Sequence, residues 1–123
     1  MLELASVLTF LIGLAHSVLG ERYILIRLFK RKNLPQLLGG DFFTKGTLRF
    51  AWHLTTIAWW GLALVLFLMA RDTNALRTSM LYIISVVFLL SGIISAGFTK
   101  GKHLSWIIFF VIAGLCIFIA FSH

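Results

Sequence analysis

The chain has 123 residues, is 60% hydrophobic and only 12% charged, and carries a formal net charge of +7. A soluble domain of this size has too much surface to hide so much apolar material, so the composition excludes an ordinary water-soluble globule. The positive charge does not call for a nucleic-acid partner, because nine of the eleven basic residues fall where a membrane protein places them.

The first apolar stretch, Leu4 to Gly20, holds 17 residues without Asp, Glu, Lys or Arg. That matches the lower limit of about 17 for a helix crossing hydrocarbon, and a span over 3–20 is predicted. Glu3 stands where a signal peptide carries positive charge, and the basic residues follow the stretch, so a retained helix is expected. The connection 21–46 opens with "ERYILIRLFKRK", which mixes Tyr23, Ile24, Ile26, Leu28 and Phe29 with basic residues. It either extends the first helix or lies along the membrane surface, in contact with anionic headgroups. "NLPQLLGGD" (Asn33 to Asp41) contains the only proline and a Gly-Gly pair, and reads as a turn.

The second apolar stretch, Phe50 to Ala70, has 21 residues and predicts a span over 48–70. "RDTNALR" (Arg71 to Arg77) is a tight connection in which Asp72 or Thr73 is a candidate cap for the third helix. The third stretch, Thr78 to Thr99, has 22 residues and predicts a span over 78–99. Its "SGIISAG" segment (Ser91 to Gly97) is a small-residue packing surface. "TKGK" (Thr99 to Lys102) is a short turn, and His103 to His123, 21 uncharged or histidine-bearing residues, predicts a final span over 103–121. Its Cys116 is the only cysteine, so it forms no internal disulfide and is expected to pack as a small apolar residue. In lipid the backbone must satisfy itself, which selects helices, and no stretch alternates as a barrel strand does. The expected fold is an all-α integral membrane protein, a single domain over 1–123 built as an up-down bundle of four transmembrane helices.

Seven basic residues lie between spans one and two, two between three and four, and two between two and three. The bias places the first and third connections in the cytoplasm and both termini outside it, as in a bacterial inner-membrane protein. In that frame helices one and three run inward, two and four outward. His16 then sits roughly 6 Å before Gly20 and His53 roughly 6 Å after Arg49, at about 1.5 Å per residue. His103 begins the fourth span at the same end, and Glu21 lies just below His16; His123 is at the opposite end. Faces at helical spacing support convergence: Thr9, Gly13, His16 and Gly20 on the first helix, Arg49, His53, Thr56 and Trp60 on the second, and His103, Trp106, Phe110 and Ala113 on the fourth. An ionisable residue inside a span usually faces the bundle or a water-filled cavity.

His16, His53, His103 and Glu21 are therefore candidate ligands for a transition metal such as zinc, copper or iron. Haem is the other candidate, with His16 and His53 as trans-axial ligands, Arg22 and Arg49 on the propionates, and Trp52, Trp59 and Trp60 against the macrocycle. That arrangement is similar in logic to the four-helix membrane b-type cytochromes. Thr56, Trp60 and Trp106 are expected to line the cavity. Redox or hydrolytic activity would follow from such a centre.

In size and helix count the chain also resembles the small multidrug resistance transporters, which implies transport resting on a glutamate in the first helix. Here Glu21 stands at the end of that span, and the nine-to-two basic bias fixes one orientation. The remaining expectation is a non-catalytic membrane subunit whose polar layer is structural. Its partners would be lipid with anionic headgroups, another membrane protein, or a second copy in a homo-oligomer.

Overall fold

The computed structural model describes residues 2–71 and 75–122. Helix α1 runs over Leu2–Leu28, α2 over Phe42–Ala70, α3 over Leu76–Thr99 and α4 over Ser105–Phe121. The first three are long and apolar enough to cross a membrane. The fourth has 17 residues, a length of about 25 Å against roughly 30 Å of hydrocarbon. Asp72 and Thr73, the candidate cap, and His123 lie outside the described residues.

The basic segment after Gly20 extends the first helix. It does so through a π-helical turn at Glu21–Leu25, followed by one more α-turn at Ile26–Leu28. The chain then turns irregularly, and Leu37 and Gly40 pair across a tight reversal in which Leu38 and Gly39 have φ of 54° and 90°. Gly39, the first of the two glycines, thus takes one of the two left-handed positions, and Leu38 takes the other. At the other connection α3 ends in a Schellman arrangement. Lys100 takes φ 51°, and the Gly101 N–H donates back to the Ala96 carbonyl at 2.8 Å.

The four helices form an up-down bundle in which each packs on its neighbours in sequence: α1 on α2, α2 on α3, α3 on α4. Among the described residues, α1 and α4 meet no other helix, so the bundle is an open row rather than a closed ring. Accessible surface reflects this. It is 7970 Å², against roughly 6,700 Å² for a compact soluble monomer of this mass.

The seams are built from small and hydroxyl residues. Ser6, Thr56, Ser85, Ser91, Ser95 and Thr99 are buried, while long aliphatic side chains such as Leu8, Ile12, Leu62, Val86, Ile108 and Leu115 stand exposed. This distribution suits lipid as solvent, where close backbone approach replaces the hydrophobic driving force. Ser6 Oγ donates to the Ala63 carbonyl at 2.6 Å, and Ser85 Oγ to the Ala113 carbonyl at 2.9 Å. Gly46 lets α2 touch the α3 backbone: a Cβ there would stand 2.2 Å from the Phe98 carbonyl oxygen.

Candidate functional site

Two short helical repeats face each other across the α1–α2 seam. Ser17 and Glu21 lie four residues apart on α1, and Arg49 and His53 lie four apart on α2. Four-residue spacing stacks each pair on one helix face. Because the helices run antiparallel, Glu21 meets both α2 partners. Arg49 Nη2 lies 2.7 Å from Glu21 Oε1, and Arg49 Nε donates to Oε2 at 3.2 Å. His53 Nε2 reaches the same Oε2 at 2.9 Å, and His53 Nδ1 meets Ser17 Oγ at 2.5 Å. The Phe29 ring, just beyond α1, covers the guanidinium with its centroid 4.9 Å from Cζ.

Hydrogen-bond roles follow from the donor inventory. The Glu21 carboxylate only accepts, so His53 presents Nε2–H to it. Neutral His53 then has its lone pair on Nδ1, which accepts the Ser17 hydroxyl proton. The order is Ser17 to His53 to Glu21, with Arg49 closing the far side. Both carboxylate oxygens and both imidazole nitrogens are used. The side chains of Glu21, Arg49 and His53 keep 29%, 33% and 20% of their exposure, so the chain of bonds is only partly withdrawn from its surroundings.

Gly20 makes this closeness feasible. A Cβ at Gly20 would stand 2.0 Å from Trp52 Nε1. In the space so left, Trp52 Nε1 donates to the His16 carbonyl at 3.0 Å.

The other two histidines expected in the cluster stand elsewhere. The His16 ring stacks on Trp52, with centroids 4.5 Å apart and planes within 3°, and tilts against Trp59 at 5.0 Å. Its Nε2 is buried without a hydrogen-bond partner. The physical reason is angular. Ser17, not His16, shares a face with Glu21, and the α1 seam runs through Ser6, Gly13 and Gly20, leaving His16 on its flank. His103 lies at the α3–α4 turn, its Nδ1 2.9 Å from Ser105 Oγ and its ring against Phe43 and Phe50. Ser105 in turn meets Ser95 at 2.7 Å. Among the described residues, no three of His, Cys, Asp and Glu converge where a metal ion could be held.

The remaining expected positions scatter likewise. Arg22 lies over the Tyr23 ring at 5.6 Å, outside the chain of bonds that Arg49 completes. Thr56 is buried in the seam, with Oγ1 unpartnered. Trp60 stacks on Phe10 and donates to its carbonyl at 3.2 Å. Trp106 donates to the Gly101 carbonyl at 3.1 Å. Ser17 and the π-helical turn went unforeseen; the matched four-residue spacings Ser17–Glu21 and Arg49–His53 were the available signal.

Fold and site together define a small polytopic membrane protein with a charged and hydrogen-bonded group of residues between its first two helices. No protein-family model, curated protein or solved structure matches the chain.

Proposed function

We propose that this protein is a small non-catalytic membrane subunit, in which the Ser17–His53–Glu21–Arg49 chain is a structural clasp between α1 and α2. One observation carries the reading: both carboxylate oxygens of Glu21 and both nitrogens of His53 are engaged by side chains of the facing helix or of their own cluster. Bonds that run unbroken between side chains of two helices fasten those helices to each other. The open row supports the same reading, since it leaves the flanks of α1 and α4 to lipid, a further membrane protein or a second copy. With the nine basic residues at and around the first and third connections toward the cytoplasmic side, the clasp lies near the inner leaflet and both termini lie outside.

A second reading retains the metal or haem centre, favoured by the meeting of His53 Nε2 and Glu21 Oε2 at 2.9 Å. His53 and Glu21 would hold the cation, while His16 and His103 stand apart from them against aromatic rings. For haem, His53 and His16 would be the residues to hold the iron, and Arg49 or Arg22 a propionate. Redox or hydrolytic activity belongs to this reading.

Metal analysis and an absorption spectrum of protein purified without chelator test the two together. The clasp reading predicts no stoichiometric metal and no Soret band. Stoichiometric zinc, copper or iron, or a Soret band, lost in His53→Ala, overturns it in favour of the centre.

A further inference from the structure

We propose that the flank of the α1–α2 pair is a binding site for one anionic glycerophospholipid, with its phosphate on Arg22 and Arg27 and an acyl chain in the groove beside them. A groove of about 510 Å³ lies there, lined by Ile12, Ala15, Leu19 and Tyr23 of α1 and by Trp52 and Trp59 of α2. From Ile12 to Tyr23 the helix rises about 16 Å. That is close to half of the roughly 30 Å hydrocarbon core, the depth of one leaflet's chains.

Three features set the chemistry of the occupant. First, the groove suits a hydrocarbon chain. Its lining contains no Asp, Glu, Lys or Arg, and Ile12, Leu19 and Tyr23 stand exposed along it. His16 serves only as wall, its ring stacked on Trp52 and tilted against Trp59. Second, one end of the groove carries charge. Arg22 and Arg27 each hold Cζ 5.6 Å from the ring centroid of Tyr23, which lines that end. Both arginines are exposed, and among the described residues no carboxylate pairs with either. Glu21, next to Arg22 in sequence, is engaged by Arg49 and His53 across the seam. Two guanidiniums around one phenol repel each other unless an anion joins them, and phosphate is an anion whose geometry the guanidinium fork matches with paired hydrogen bonds. Third, the backbone is shaped for the pairing. Residues five apart on an α-helix stand about 140° apart around its axis. The π-helical turn at Glu21–Leu25, closed by the Ile26 N–H donating to the Glu21 carbonyl, lies between the two arginines and brings them toward one ring. A zwitterionic lipid would bring its own cation to two others, and a free phosphate would leave the groove unfilled. An anionic lipid meets both halves of the site.

The test uses the whole protein in phosphatidylcholine nanodiscs, with phosphatidylglycerol brominated in its chains as the probe. Quenching of tryptophan fluorescence is the readout, since Trp52 and Trp59 line the groove. The parent is expected to show a saturable phase at low phosphatidylglycerol content. Its preference over brominated phosphatidylcholine should be roughly tenfold, the order that two basic residues near a membrane surface supply. Arg22→Gln combined with Arg27→Gln abolishes that phase. Lys30→Gln combined with Lys32→Gln removes the same charge from the same segment and keeps most of it. Glycerol phosphate in the buffer does not displace it, because the chain is part of what is bound. Equal quenching by the two brominated lipids overturns the proposal. Equal loss in the arginine and lysine pairs also overturns it, by showing diffuse attraction to the basic segment. Displacement by glycerol phosphate overturns it in favour of a free-phosphate site.

Discussion

His53 shows how much one residue's environment decides. In isolation a histidine four residues into a membrane span reads as a ligand or a proton carrier. Held between Ser17 and Glu21 it becomes a link, with its tautomer set by a carboxylate that can only accept. The expected state is Nε2–H with Nδ1 accepting, read directly from the imidazole nitrogen shifts in solid-state NMR. Ser17→Ala should leave His53 in place and cost about 0.6 kcal/mol, the average for an interhelical hydrogen bond in a membrane. A loss above about 2 kcal/mol would give Ser17 a larger role than one hydrogen bond. The sequence made Glu21, Arg49 and His53 legible as a group because charge is rare in this chain. It did not separate His16 from His53, because depth along the membrane is read from residue counting while direction around the helix turns about 100° per residue. One position, from Ser17 to His16, is enough to leave the seam.

At the scale of helices, the apolar stretches located all four elements, and the helix ends differ from the ends of those stretches. Hydropathy marks where a chain is apolar, whereas a helix continues as long as its backbone is satisfied. Hence α1 passes through Glu21 to Leu28, and α2 begins at Phe42 rather than near Leu48. The fourth helix starts at Ser105, because the Schellman turn and the Gly101 backbone at φ 74° occupy the residues before it. Packing of the elements rests on close approach, and Gly46 is the tightest case against backbone. Gly46→Ala should destabilise by about 1–3 kcal/mol, since the clashing carbonyl belongs to α3 and cannot rotate away. Gly114→Ala, where nothing lies within 4 Å, should stay within about 0.5 kcal/mol. Unfolding of the two variants in the same detergent checks the contrast, and equal effects would place the α2–α3 contact elsewhere.

For the whole molecule, sequence conveyed the solvent better than the arrangement. Composition established lipid as the surroundings, and short connections established antiparallel neighbours. Whether four such helices close into a ring depends on contacts between elements distant in sequence, for which this chain carries no charged or polar marker; the structure is an open row. Orientation remains a matter of charge. A C-terminal reporter should be active only for an extracytoplasmic label, because the basic connections hold the other side. A cytoplasmic signal would reverse the map and bring the clasp to the outer leaflet.

The clasp itself is tested most directly by a double-mutant cycle between its two charged residues. Glu21→Gln, Arg49→Gln and the double variant would be compared with the parent in one membrane mimetic by reversible unfolding. The clasp predicts that each single change destabilises, with a coupling of about 0.5–3 kcal/mol between them, as for residues in one bonded network. Strict additivity, or single variants as stable as the parent, would contradict it.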